Sequence, residues 1–461
     1  MSRTLHIFRK VLRNGVEIKI KRKKFRVTYD QAIWKKFPKS LHKVFADSLT
    51  YIATWHLPMV DDVATAYHFP HPPIEPVFFK MLMYSIPMTV FENKEKNILT
   101  SSLIKQFYNV NFQTQYKGLN YSYGGKKTKH NLKETAILLF SFGKDSLLTY
   151  ALLDELGVSV IPVFMQEPNS AFENAHKRKL ADRFYNKLDE EVVFFPLSIG
   201  RLRQTRDLYW GWDIILSQYA FVLVPYYFYY QTRYLFFGNE QSVNYSVKDK
   251  EGFLINPVFE QSVFGMQHLQ DIPKQFFIDT HIGSLIEPLH DHLILFILHN
   301  RYPDFGKFQM SCFSENDRAK NRRWCGACEK CARLYIMFRA LDISPKKVGF
   351  NEDMLSADKE RYYVIFENGG VESAFGGSGL GRDEQLLAFY LAYKNGARGD
   401  LIEKFKSLYL TEVEKRLPKL INEYFSLHSS LSLPSSLRTR ALRIFEKERE
   451  SAFKYLRRVL S

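Results

Sequence analysis

The sequence predicts an α/β protein whose core is a parallel β-sheet with helices on both faces. Between residues 136 and 237, short apolar runs typical of buried strands alternate with segments of helical periodicity. Such alternation is typical of parallel sheets. The second observation is that all four cysteines lie between residues 312 and 331. We therefore divide the chain into an N-terminal α+β domain (1–130), a central domain (131–350, including the cysteine segment 311–331) and a mainly helical C-terminal region (351–461).

The N-terminal region combines strand and helix signals. Apolar and polar residues alternate over 16–21, which predicts a strand, and 24–27 is expected to continue it as a hairpin. Helical spacing follows at 41–57 and 74–88. The glycine- and lysine-containing stretch 116–131 is typical of a linker into the central region.

The central region supplies the alternating elements. The predicted strands are 136–140, 158–164, 192–196 and 234–237, and the predicted helices are 146–156, 172–188 and 212–231. The last of these helices is the one segment whose apolar character suggests a membrane span. It is interrupted by Ser217, Gln218 and Pro225, so we interpret it as a buried helix and predict no membrane contact.

A loop of small and polar residues joins the first strand to the first helix: Ser141-Phe142-Gly143-Lys144-Asp145-Ser146. Main-chain N–H groups and the positive end of a helix dipole at such a loop favour a phosphate. Lys144 would add a cation, Ser141 and Ser146 would add hydroxyl donors, and Asp145 would orient the loop or hold Mg²⁺. The loop is not a Walker A motif, because G-x-x-x-x-G-K-[ST] does not occur in the chain.

Two further polar turns follow predicted strands. Gly238, Asn239 and Glu240 come after the strand 234–237, and Gln166 and Glu167 come after 158–164. Ligands of open parallel sheets bind beyond the carboxyl ends of the strands, where these turns converge. We therefore expect them to face the same crevice as the 141–146 loop, although both also suit ordinary turns.

The four cysteines have the spacing C-x12-C-x2-C-x2-C, which places four thiolates within reach of one ion. We predict a structural zinc bound by Cys312, Cys325, Cys328 and Cys331. Gly326 suits a tight turn where a side chain would crowd the metal. The alternatives are a redox C-x-x-C pair or unrelated buried thiols. A fully ligated zinc has no position for a catalytic water, so we expect it to hold a lid that carries the basic stretch 318–323.

The C-terminal region is expected to be helical at 382–395, 400–409 and 438–459. A glycine-rich stretch at 369–381 precedes these helices. It has no strand–helix frame around it, so we interpret it as a flexible turn in preference to a phosphate site.

Composition places the chain among ordinary globular proteins, with 46% hydrophobic and 25% charged residues. Cysteines gathered for a metal indicate a reducing compartment, and the first ten residues lack the apolar run of a signal peptide, so we predict a cytoplasmic protein. The net charge of +16 is compatible with tRNA, DNA, a nucleotide-linked substrate or ATP as partner. It does not select among them.

The 141–146 loop resembles the S-G-G-x-D-S pyrophosphate loop of the N-type ATP pyrophosphatases, or PP-loop enzymes, with Phe142 in place of the first glycine. These enzymes cleave ATP between the α and β phosphates and transfer AMP to a substrate oxygen. The resemblance implies their adenine nucleotide α-hydrolase-like fold, ATP and Mg²⁺ as ligands, and Lys144, Asp145 and Ser146 as catalytic residues. The expected nucleotide contacts are Ser141, Phe142, Gly143, Lys144, Asp145, Ser146, Gly238, Asn239 and Glu240.

The cysteine segment narrows the resemblance to one branch. Ser311-Cys312, C-G-x-C-x-x-C at 325–331, Arg333 and the apolar run 334–341 resemble the zinc segment of the QueC-like 7-cyano-7-deazaguanine synthases. Ser284–Leu289 and Asp342–Pro345 fit the same layout, so the resemblance covers roughly 133–350. It implies a ligase-like enzyme that adenylylates a carboxylate or amide oxygen of a small-molecule or nucleotide-linked substrate.

Residues 1–130 and 351–461 have no counterpart in the compact synthases, which leaves other functions open. One alternative is an ATP-dependent epimerase of UDP-N-acetylmuramoyl-L-alanyl-L-glutamate (the MurL type), and another is a QueC-like antiphage-defence component. From a different class, a nucleic-acid-binding protein with a degenerate loop also fits the charge. Sulfur transfer to tRNA is disfavoured, because no cysteine remains outside the cluster to carry a persulfide.

Overall fold

The computed structural model describes residues 4–61, 63–92, 97–118, 131–203, 214–366 and 379–461. The predicted linker beyond residue 118 and the glycine-rich stretch up to residue 378 lie outside these ranges. Within them, no helix is both long enough and apolar enough to cross a membrane.

The described residues of the N-terminal part form a mixed sheet and five α-helices. Its elements are β1 (Thr4–Leu12), β2 (Gly15–Ile20), β3 (Lys23–Thr28), α1 (Gln31–Lys36), α2 (His42–Thr54), α3 (Leu57–Asp61), β4 (Ala64–Tyr67), α4 (Glu75–Glu92), α5 (Thr100–Gln113) and β5 (Gln115–Tyr116). The strand order is β3-β2-β1-β4-β5. The first three strands pair antiparallel, whereas β4 runs parallel to both β1 and β5.

The central part is built on a second sheet. Its elements are β6 (Lys133–Leu139), α6 (Lys144–Glu155), β7 (Ser159–Gln166), α7 (Ala171–Leu188), β8 (Val193–Pro196), α8 (Ile215–Val222), α9 (Val224–Tyr230), β9 (Thr232–Phe236), β10 (Val247–Lys248), β11 (Leu254–Ile255), α10 (Val263–Leu269), α11 (Asp271–Gln275), β12 (His281–Gly283), α12 (Asp291–Asn300), α13 (Pro303–Gly306) and α14 (Glu329–Ala340). The order of the five-stranded sheet is β12-β9-β6-β7-β8, and all of its pairings are parallel. The predicted α/β class with a parallel sheet is thus confirmed.

Three long helices follow the central part: α15 (Gly379–Lys394), α16 (Asp400–Phe425) and α17 (Ser435–Leu460). Their apolar faces pack on α14 and α12 and so extend the core on one side of the central sheet, where Phe389, Tyr424 and Leu456 share a core with Leu138 and Phe140 of the β6 region. On the other side, Ile137 of β6 shares a core with the N-terminal sheet and with α8 and α9. Both faces of the sheet are therefore covered.

The strand order places a switch point beside β6. From β6 the chain winds outward through β7 and β8, and then returns to the opposite side of β6 with β9 and β12. The loops after β6 and β9 therefore diverge, which leaves a crevice at their carboxyl ends. That crevice is where the fold presents the 141–146 loop and the turn at 238–240.

Two predicted helices are wrong in their extent. The helix expected over 400–409 continues to Phe425, as the helix Asp400–Phe425. The helix expected over 212–231 is two helices, α8 and α9, which divide at Leu223. Pro225 lies in the first turn of α9, where a missing N–H costs nothing, and cannot continue α8. The break lets both helices pack against the sheet.

Candidate functional site

The loop between β6 and α6 is shaped by Phe142. This residue has a left-handed backbone (φ 56°), yet its ring is fully buried. The ring packs against Phe140 and Phe184, with centroids 4.6 and 5.7 Å away. Its carbonyl accepts a hydrogen bond from the N–H of Met310 at 2.7 Å. The side chain therefore points into the core and leaves the crevice to its smaller neighbours.

Gly238 brings the end of β9 against this loop. A Cβ at this position would lie 2.7 Å from the Cβ of Asp145 and 3.3 Å from the main-chain nitrogen of Ser146. Only glycine permits so close an approach without movement of the backbone. The turn after β9 and the first turn of α6 therefore form one continuous wall.

Two cavities open on either side of this wall. The larger has a volume of about 520 Å³, and its lining includes Gly143, Lys144, Glu240, Asp291, Ser311, Lys330 and Arg333. The smaller has a volume of about 250 Å³, and its lining includes Ser146, Val163, Phe164, Met165, Glu167, Leu216, Phe237 and Asn239. Ser141, Asp145, Glu173 and Gly238 line both. The lining of the larger cavity includes lysine, arginine and carboxylate side chains, whereas the charged groups that line the smaller cavity are all carboxylates.

A chain of ion pairs runs from the loop to the C-terminal helices. Lys144 Nζ lies 2.6 Å from Asp145 Oδ1 and 2.7 Å from Asp291 Oδ1. Arg333 lies 2.7 Å from Asp291 Oδ2 and 2.8 Å from Glu384 Oε2. Asp291 and Glu384 are almost completely buried. The cluster thus joins the loop, α12, α14 and α15 by charge.

Burial and charge set the protonation of these groups. Burial would raise the pKa of Asp291, but the charges of Arg333 and Lys144 hold that pKa well below its usual range. Burial raises the pKa of Glu240 and of Glu384 to about 7, and the nearby Asp291 carboxylate adds to both shifts. At pH 7 Asp291 is therefore ionised, whereas Glu240 and Glu384 are each only partly ionised.

Glu384→Gln is expected to change how stability depends on pH. A carboxyl whose pKa is raised in the folded protein stabilises it below the unfolded pKa, and this contribution is lost as pH rises through the folded value. The stability of the wild type relative to Glu384→Gln should therefore fall between about pH 4.5 and pH 7. Urea unfolding of both proteins across this range measures the difference.

The control is Glu446→Gln, which removes an exposed carboxyl from α17. Its stability should stay within about 0.5 kcal/mol of that of the wild type, because substitutions at exposed positions without specific contacts have small effects. If the stability of the wild type relative to Glu384→Gln rises or stays constant over this pH range, the raised pKa of Glu384 is contradicted.

Lys177 of α7 ties the loop to the cysteine segment. Its side chain is 1% exposed and donates hydrogen bonds to the carbonyls of Ser141 and Met310. Burial lowers the pKa of Lys177 to about 8, although Glu173, 3.9 Å away, opposes the shift. Lys177 therefore fixes two walls of the larger cavity relative to each other.

The four cysteines converge, as the spacing predicted. Their sulfur atoms all lie within 4.8 Å of one another, and those of Cys325 and Cys331 are 3.7 Å apart. A tetrahedron with metal–sulfur bonds of about 2.3 Å has edges of about 3.8 Å. Main-chain N–H groups of Ala327 and Cys331 donate to the sulfurs of Cys325 and Cys328, each at 3.4 Å. The cluster is compatible with zinc.

The surroundings of the cluster correct two expectations. Gly326 has φ 63°, but a Cβ there would collide with the carboxylate of Glu352, 2.2 Å away. The basic stretch 318–323 does not form part of either cavity lining. Arg318 and Arg322 pair with Glu352, and Arg323 donates to the carbonyls of Lys307 and Gln309. These three arginines are therefore engaged by Glu352 and by main-chain carbonyls and do not line a cavity as the expected lid would.

Eight of the nine expected nucleotide contacts line one of the two cavities, Phe142 being the exception. Sequence reasoning missed Lys177, Asp291 and Glu384. Asp291 did leave a signal, since it lies in a polar triplet, His290-Asp291-His292, between apolar runs. Lys177 is one of many charges on α7, and nothing local distinguishes it.

Comparison of the chain with protein-family models, with curated proteins and with solved structures gave no match in any of the three. The fold and the site alone therefore define the class. It is an α/β protein with a five-stranded parallel sheet, paired cavities beside the switch point and a four-cysteine cluster in the adjoining segment.

Proposed function

We propose that the protein is an ATP-dependent, AMP-forming enzyme of the PP-loop type, which adenylylates a carboxylate or amide oxygen. The main support is the position of the 141–146 loop, which follows the central strand at the switch point and lies between a cavity lined by cations and carboxylates and a smaller cavity lined by apolar residues and carboxylates. A nucleoside triphosphate bound across this wall would place its base in the smaller cavity and its phosphates in the larger one.

The smaller cavity suits the nucleoside. Val163, Phe164 and Met165 of β7 supply apolar contact for a base, and Leu216 and Phe237 face them. Glu167 is already engaged, since it accepts a hydrogen bond from the Tyr219 hydroxyl at 2.6 Å. Asn239 is buried, and its Nδ2 has no hydrogen-bond partner among the described residues, so it is a ready donor.

The larger cavity suits the phosphates and the acceptor. Lys144 and the start of α6 would stabilise the pyrophosphate as it leaves. Asp145, Glu240 and Asp291 supply the carboxylate oxygens that Mg²⁺ prefers, and bound Mg²⁺ would neutralise the phosphates that these carboxylates otherwise repel. Lys330 and Arg333 belong to α14, the helix at the end of the cysteine segment, and also line this cavity. They would hold an anionic acceptor.

The proposed reaction has two balanced steps. The acceptor oxygen attacks the α-phosphorus, the bond from that phosphorus to the bridging oxygen of the β-phosphate breaks, and pyrophosphate leaves with the electron pair. A nucleophile such as ammonia then attacks the activated carbon and displaces AMP. The loop stabilises the charge that develops on pyrophosphate in the first step, where electrostatic catalysis has its largest effect.

Incubation with ATP, Mg²⁺ and an acceptor is expected to yield AMP and pyrophosphate. Asp145→Ala should lower that rate by about 100-fold or more, because it removes a carboxylate that would hold Mg²⁺ against the phosphates. Ser146→Ala should cost less, because one hydroxyl among several donors is lost. Chromatography of the nucleotides measures both products and rates.

Asp154→Ala is the matched control, because it removes an exposed carboxylate from the far end of the same helix and should keep full activity. Two acceptors would distinguish a synthase from an epimerase. A synthase would use a deazaguanine carboxylate with ammonium, and an epimerase would use UDP-N-acetylmuramoyl-L-alanyl-L-glutamate. ADP as the main nucleotide product with either acceptor would refute the proposal.

A further inference from the structure

A second group of metal-ligating side chains lies behind the charge cluster, away from the cysteines. It consists of His290, the residue before α12, Glu423 near the end of α16, and His428 in the loop between α16 and α17. One potential ligand atom of each lies within 4.8 Å of those of the other two. Residues more than 130 positions apart in sequence are thus brought together.

The three side chains are held in place from several directions. His290 Nε2 lies 3.3 Å from Glu423 Oε1, and the His290 ring packs edge-on against Tyr424 at a centroid distance of 5.1 Å. The main-chain N–H of His428 donates to the carbonyl of Pro288 at 2.9 Å, and its ring Nε2 lies 2.8 Å from the carbonyl of Glu423. The group is therefore largely preorganised.

Hydrogen bonds among the described residues do not satisfy every polar atom of this group. His290 is 1% exposed, and within the described ranges its Nδ1 has no hydrogen-bond partner. Glu423 is partly open to solvent, with 38% of its side chain exposed, so an ion has a route of entry. The other ring nitrogen of His290, Nε2, lies beside the Glu423 carboxylate, and a carboxylate with two imidazoles is a ligand set that a cation stabilises.

We propose that His290, Glu423 and His428 bind a divalent transition-metal ion such as Zn²⁺. Two imidazoles and a carboxylate favour such an ion over Mg²⁺ or Ca²⁺, which prefer oxygen ligands throughout. Ligands around a common ion, at metal–nitrogen distances of about 2.1 Å, lie about 3 to 4.2 Å apart, so small side-chain rotations close the site. Three protein ligands leave a position for water.

The site would couple the C-terminal helices to the charge cluster. His290 directly precedes Asp291, whose carboxylate lies between Lys144 and Arg333. The α16–α17 loop is also anchored by Glu287, which accepts hydrogen bonds from Ser429 at 2.8 Å and from the N–H of Leu431 at 3.0 Å. An ion at His290 would add a second anchor, next to the cavity wall.

Metal stoichiometry of the full chain tests the site without reference to ATP chemistry. The wild type, saturated with Zn²⁺ and freed of excess ion, should contain one more equivalent than either His428→Ala or Glu423→Gln. Added Zn²⁺ should also raise the thermal midpoint of the wild type more than that of either variant, because the ion binds only the folded site. Glu287 still anchors the loop in both variants, so both should fold.

Cobalt distinguishes this site from the cysteines. Thiolate ligands give Co²⁺ intense charge-transfer absorption, whereas nitrogen and oxygen ligands give only weaker visible bands, and His428→Ala should remove the weaker set alone. His268→Ala, which removes a partly buried histidine of α10, is the control and should keep both sets. Equal metal content in the wild type and both ligand variants would overturn the proposal.

Discussion

Cys328→Ser is expected to unfold the segment between residues 310 and 340 and to destabilise the whole protein. Structural zinc sites contribute about 10 kcal/mol or more of apparent binding free energy, and this is available only to the folded chain. Cys328 also caps α14, because its sulfur accepts a hydrogen bond from the N–H of Cys331 at 3.4 Å. The loss should thus be felt in folding as well as in turnover.

Thermal unfolding and elemental analysis of the purified protein measure this effect together. The wild type should contain one zinc per cysteine cluster, and its thermal midpoint should fall sharply with a strong chelator. Ala327→Ser is the matched control, since it adds a hydroxyl to the neighbouring residue and leaves all four sulfurs in place. Well-folded wild-type protein with no metal at the cysteines would disprove the zinc assignment.

Asp291→Asn is expected to have the second-largest effect on stability. Asp291 is 1% exposed and is the shared partner of Lys144 and Arg333, so its neutralisation leaves the buried Lys144 and the partly buried Arg333 with one fewer counter-charge. Removal of one partner from a buried ion pair costs about 3–5 kcal/mol. Urea unfolding measures the loss, and product chromatography should show a parallel loss of AMP formation.

Asp304→Asn serves as the control for the charge argument. Asp304 also lies between two lysines, Lys187 at 2.6 Å and Lys307 at 2.9 Å, but 68% of its side chain is exposed. Exposed pairs contribute about 1 kcal/mol or less, so this variant should unfold almost as the wild type does. Equal losses from the two variants would show that burial does not amplify the Asp291 interactions.

Local patterns were sufficient for much of the fold. The apolar runs that became β6, β7, β8 and β9 are bounded by turn residues, and each helix between them is amphipathic or apolar. The three-residue strand β12 has no such run, because His281 and Gly283 flank a single buried Ile282, and it forms only by pairing with β9. The first strand was missed although Leu5 and Ile7 alternate with polar residues.

In the site, too, local sequence patterns predicted some residues, whereas others depend on tertiary contacts. The loop and the cysteines were found because their residues are neighbours in sequence and their chemistry depends on spacing. Glu384 was not found, because it reaches Arg333 only after α15 packs beside α14. No local pattern marks a glutamate whose partner lies 51 positions away, so its role depends on tertiary contacts alone. Whether the loop binds a nucleotide stays a prediction.

The covered sheet also bears on how the chain is made. Residues of β6 emerge from the ribosome long before α17, yet Ala136 and Leu456 belong to one core. The core on this face of the central sheet, which α6, α12 and α14 begin, therefore lacks part of its native cover until residues 435–460 have been synthesised. Transiently exposed apolar surface promotes aggregation during biosynthesis. Slow translation of the last three helices would prolong that interval, whereas the opposite face is covered early by α2 and its neighbours.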